Sequence, residues 1–123
     1  MNAYASVPAA YKESSIMTAT PERLVVMLYD GAHRFLTQAA VAMRANDLAQ
    51  SNDRLQRAEA IISELNVTLD MSAGEIADRL RAIYLFSRRH LTEARLERDP
   101  QKIETVSRML GELRESWAQI AGE

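Results

Sequence analysis

Apolar residues recur three and four positions apart in four successive stretches of this chain, with short polar breaks between them. Leu55, Ala58, Ile62, Leu65 and Leu69 step in this way, as do Ile103, Val106, Leu110, Leu113, Trp117 and Ile120. That period belongs to a helix with one buried face and not to a strand, whose period is two. The breaks carry their own signals. Thr20-Pro21 and Asp99-Pro100 pair a capping side chain with a proline at the first helical position, where its missing N–H is not needed. Asn46-Asp47 interrupts the pattern after about Met43, and the second helix is predicted over about Leu48 to Leu69. Ser72-Ala73-Gly74-Glu75 has the form of a capping box ahead of a third helix carrying Ile76, Leu80, Ile83, Tyr84, Leu91 and Ala94.

Helices of about 20 residues are each about 30 Å long. Short connections make neighbours antiparallel, so the predicted fold is all-α, an antiparallel up-down four-helix bundle over residues 20–123. Residues 1–19 read as an N-terminal arm, rich in Ala and Ser, in which Tyr4, Val7 and Tyr11 would share one helical face. The alternative for this segment is a frayed terminus. A length of 123 residues suits one domain. Glycine and proline are scarce, at 4 and 3, which agrees with helix.

Several function classes drop out. The formal net charge of −2 gives no general pull toward nucleic acid. There is no cysteine, hence no disulfide or thiol chemistry, and a reducing compartment fits. The first residues lack the basic and apolar regions of a secretory signal. No apolar run approaches the roughly 20 residues of a membrane helix. A soluble, cytoplasmic protein without membrane insertion is expected. His33 and His90 fall on different helices, and neither has a second ligand at metal spacing. The glycines are scattered and cradle no phosphate. A phosphotransfer histidine at His33 would be one enzyme-like alternative, but the small, basic and glycine surroundings it needs downstream are missing. No enzyme, metal or cofactor is expected.

Charge is uneven. Residues 47–78 hold seven acids against Arg54 and Arg57, whereas residues 79–98 hold six arginines against Glu93 and Glu97. Either helices two and three lie side by side and balance each other, or the arginines form a strip for an acidic partner.

The helical wheel finds apolar residues away from the core stripes. Val26 and Val41 fall opposite the stripe of the first helix, Val67 points away from that of the second, and Leu85 and Phe86 away from that of the third. Several such residues on a small bundle suggest a docking surface, cover by the arm, a homodimer face, or a core stripe wider than the wheel draws. Gly31 lies on the core stripe of a helix that is apolar nearly all round from Leu24 to Tyr29. A glycine there costs roughly 1 kcal/mol relative to alanine, so it is expected to admit a close backbone neighbour.

Thr18-Ala19-Thr20-Pro21, Leu24 and Met27-Leu28-Tyr29-Asp30-Gly31 resemble the N-terminal signature of the flagellar secretion chaperones of the FliS family. Glu64-Leu65, Leu69-Asp70, Gly74-Glu75-Ile76-Ala77, Leu80, Tyr84 and Leu91 are similar to its middle, and Val106, Leu110, Leu113-Arg114 and Trp117 to its end. Thr20 stands where the family usually has serine, and both residues cap. The resemblance implies a cytoplasmic bundle that binds the disordered C-terminal region of flagellin, prevents premature polymerisation and assists delivery to the export apparatus. It implies an arm able to occupy a site the client also uses, and a role for Tyr11 in docking to an export gate component. The wheel offers Val26, Val67, Leu85 and Phe86 as client-facing residues. A structural or regulatory bundle acting as a homodimer is the alternative.

Overall fold

The computed structural model describes residues 20–122. Four helices follow one another: α1 (Pro21–Arg44), α2 (Leu48–Val67), α3 (Glu75–Glu97) and α4 (Pro100–Ile120). A single 3-10 turn, Met71–Ala73, precedes α3.

Local chemistry sets most of the boundaries. The Arg23 N–H donates to Thr20 Oγ1 at 3.2 Å, and Pro21 opens α1. Asn46, at φ 59°, reverses the chain after α1; asparagine tolerates this left-handed conformation better than most residues. Asp47 then caps α2, accepting from the Gln50 N–H at 3.1 Å. Asp99 caps α4 through the Gln101 N–H at 3.0 Å. The start of α3 differs from the expectation. Gly74 is its N-cap and makes no side-chain bond. Asp70 takes the Ser72 N–H at 3.0 Å and the Ser72 hydroxyl at 2.6 Å, so Ser72 is already used in the 3-10 turn and no capping box forms.

The helices pack in a ring, α1 against α2 and α4, and α3 against the same two. Along α1 and α4 the cross-contacts run in opposite order: Asp30 with Arg114, His33 with Ser107, Arg44 with Glu104. One core fills the centre, with Leu36, Leu55, Ile62, Leu65, Leu91, Ile103 and Leu110 fully buried. Each such side chain contributes roughly 1.5–3 kcal/mol on burial. Across it the buried hydroxyls of Tyr29 on α1 and Tyr84 on α3 share a hydrogen bond of 2.5 Å. The phenols thus bury large rings while satisfying their polar ends.

Gly31 is a packing device, but a side chain and not a backbone exploits it. A Cβ at this position would stand 3.2 Å from Ile61 Cδ1 of α2. The all-round apolar stretch also has its explanation. Since α1 is flanked by two helices, its buried arc is broad and centres near Ala32 and Leu36, not on Leu28, which is only partly buried. Val26 closes one edge of that arc at 1% exposure, which corrects its outward placement on the wheel. Ile76 and Ile120, assigned above to core stripes, are exposed, because both lie in terminal turns beyond the filled part of the core.

Candidate functional site

Outward-facing apolar side chains are the feature of this bundle that its own core does not use. Val67, in the last turn of α2, is 74% exposed, and Leu85 and Phe86, halfway along α3, are each 37% exposed. The wheel placed these three correctly. Val26 is buried and can meet a partner only where its cover moves. Tyr11 lies outside the described residues.

The three exposed residues do not form one patch. Leu85 lines a cleft of about 290 Å³ with Glu59 of α2 and with Arg88, Arg89 and Thr92 of its own helix. Phe86, one residue on, points round α3 toward α4. Its ring stacks on His90, centroids 4.8 Å apart, and His90 Nδ1 lies 3.6 Å from Glu93, which Lys102 of α4 holds at 3.2 Å. The carboxylates of Glu93 and Glu97 raise the Lys102 pKa above its ordinary 10.5, the hydrogen bond that Lys102 donates to Glu93 most of all, so the α3–α4 link stays charged through neutral pH. Val67 stands on another helix, in the last turn of α2, and does not line the Leu85 cleft.

A second groove escaped the wheel. Between α1 and α4 lies a cavity of about 400 Å³ with Leu36, Ala40 and Gly111 on its lining and the exposed Val41 at its edge. The Arg44–Glu104 pair, at 2.7 Å, and the His33–Ser107 hydrogen bond, at 2.8 Å, bound it. The signal was Gly111: among the described residues nothing lies within 4 Å of where its Cβ would be, so no packing demand among them explains a glycine there. Leu96, 78% exposed, was also missed, although it sits eleven residues after Leu85 and hence on nearly the same face of α3.

The charge asymmetry resolves only in part. Arg95 of α3 bridges to Glu59 of α2 at 2.5 Å, and Arg79 pairs with Glu75 one turn back at 2.7 Å. Arg81, Arg88, Arg89 and Arg98 make no ion pair among the described residues. On α2, Asp53 takes both Arg54 and Arg57, and the Arg57 hydrogen bond is the main cause holding its carboxyl below the usual range.

Among the described residues, no group of three or more His, Asp or Glu side chains is placed to hold a metal ion. No described helix is long and apolar enough to cross a membrane. What the described residues present is a helical bundle with apolar side chains outside its core and clefts between its helices.

Comparison with known proteins agrees. The family described as "Flagellar protein FliS" matches residues 2–123. The chain is 37% identical over 123 residues to the flagellar secretion chaperone FliS of Salmonella typhimurium, covering 98% of this chain and 89% of the relative. It is 34% identical over 110 residues to that of Bacillus subtilis, covering 89% and 82%. It is 34% identical over 119 residues to that of Vibrio cholerae, covering 93% and 88%. With a match over the whole bundle and relatives above 30% identity, this chain belongs to the FliS family of flagellar proteins.

Proposed function

We propose that this protein is a cytoplasmic export chaperone that binds the disordered C-terminal region of flagellin, keeps it from polymerising and assists its delivery to the flagellar export apparatus. The observation that carries the reading is the exposure of Val67, Leu85 and Phe86 on the outer faces of a bundle whose core is already filled. An amphipathic helix laid on such a surface would bury its own apolar residues against these anchors. A client that orders only on binding loses conformational entropy, so it needs a wide contact surface to compensate. Anchors distributed over two helices and three places provide that better than one deep pocket. The arm, residues 1–19, would compete for the same surface and lower the apparent affinity by the fraction of time it is covered. Tyr11 within it would act in docking the loaded chaperone to an export gate component. No step of this function requires a catalytic group.

The test is calorimetric titration with a peptide spanning the C-terminal region of the host's flagellin. Binding at one to one with a large negative heat-capacity change is the expected result, since that is the mark of apolar burial with coupled folding. No binding at high peptide concentration, together with a tight dimer by light scattering, would favour the homodimer reading instead.

A further inference from the structure

Leu85 is ringed on its own helix by arginines. Arg81 lies four residues before it, Arg88 three after and Arg89 four after, the spacings at which helical side chains are neighbours. All three are exposed, and none makes an ion pair among the described residues. Among the nearby acids, Asp78 lies three residues before Arg81 and makes no ion pair among the described residues, whereas the two beside Arg88 and Arg89 are engaged. Glu59, across the cleft on α2, is held by Arg95 at 2.5 Å. Glu93, one turn beyond Arg89, is held by Lys102 at 3.2 Å. The cleft therefore sets one exposed apolar side chain, Leu85, beside Arg88 and Arg89, which line it and make no ion pair among the described residues.

We infer that the α2–α3 cleft recognises an acidic amphipathic helix of the client, one that seats an apolar side chain on Leu85 and sets carboxylates against Arg81, Arg88 and Arg89. This rests on the chaperone reading above and specifies the chemistry of the segment bound at that cleft. Arginine suits the task because its guanidinium meets a carboxylate through two parallel hydrogen bonds. A helix that places an apolar residue at one position and acids three or four positions to either side would match all of these groups at once. An uncharged apolar helix would leave the arginines partly desolvated without partners, which selects against it.

The experiment is a double-mutant cycle on the full chain. Affinity for the flagellin C-terminal peptide is measured for the unaltered protein and for Arg88→Glu/Arg89→Glu. Each is tested with the native peptide and with one in which Asp and Glu are replaced by Asn and Gln, at low and high salt. Double reversal is expected to weaken binding of the native peptide about tenfold, more at low salt, as for exposed charges facing each other. The neutralised peptide should bind weakly and indifferently to both proteins. Arg88→Ala/Arg89→Ala, which adds no new charge, should lose affinity in the same direction, with its helical circular dichroism unchanged. Equal binding of the native peptide to the unaltered and reversed proteins overturns this inference and leaves the chaperone reading standing. Failure of the unaltered protein to bind the native peptide overturns both.

Discussion

Gly31 and Gly111 both interrupt helices, yet they answer to different neighbours. Each forgoes up to about 1 kcal/mol of helix propensity relative to alanine. At Gly111 nothing among the described residues opposes a methyl group, so Gly111→Ala is expected to stabilise the protein by roughly 0.5–1 kcal/mol. At Gly31 the new Cβ would press on Ile61 Cδ1 at 3.2 Å, closer than ordinary van der Waals contact, and most of the gain should be lost. Gly31→Val should destabilise by about 1–3 kcal/mol through overpacking. Urea midpoints at unchanged slope measure all three. A Gly31→Ala gain equal to that of Gly111→Ala would show that Ile61 yields freely and that the close approach does not matter. The sequence placed Gly31 on the core stripe correctly, because periodicity along one helix is local information. It could not say that the neighbour is a side chain, because that depends on how α2 lies across α1.

At the scale of elements, the starts of α1, α2 and α4 were legible because a cap acts within three residues. Thr20 and Asp99 were read from their pairing with proline, and Asp47 stands at the break seen at Asn46-Asp47. The start of α3 was misread for a reason equally local. Two residues, Ser72 and Asp70, compete for the same turn, and a carboxylate two positions back wins the Ser72 N–H. Gly74, at φ 76°, then lets the chain turn into α3 without a side-chain cap. The consequence is electrostatic. The Ser72 hydroxyl, and after it the Ser72 N–H, hold the Asp70 carboxyl below its ordinary pKa of 3.8. Because the folded value is the depressed one, this contribution to stability is present above the unfolded value and is lost as pH falls through the folded value. Carbon NMR of the Asp70 carboxyl should show a midpoint below 3.8 in the native protein. Ser72→Ala, which removes the larger cause and spares the backbone bond, should move that midpoint back part of the way. An unmoved midpoint would assign the depression to the backbone alone.

For the whole molecule, the question is how a bundle with a finished core holds a partner. The wheel found Val67, Leu85 and Phe86 because exposure on the far side of a helix follows from the helix alone. It misplaced Val26 because a helix flanked by two others buries more than half its circumference, which no single-helix projection contains. It missed the α1–α4 groove for the same reason, since a groove belongs to a pair of helices. Val67 and Phe86 lie on different helices, and the ring of Phe86 leans on His90. If the flagellin segment wraps the bundle, Val67→Asp and Phe86→Asp should each weaken binding on the order of tenfold, somewhat less than the 1.5–3 kcal/mol of full burial because both are partly exposed to begin with. Their free-energy costs should add to within about 0.5 kcal/mol in the double variant, as for sites that share no neighbours. Both substitutions replace exposed side chains, so the urea transition should move little. Strong non-additivity, with either change alone abolishing binding, would mean that one contiguous spot holds the client. Two weak, independent losses with unchanged folding would mean that affinity is assembled from separate anchors, as a disordered client that orders on a rigid surface requires.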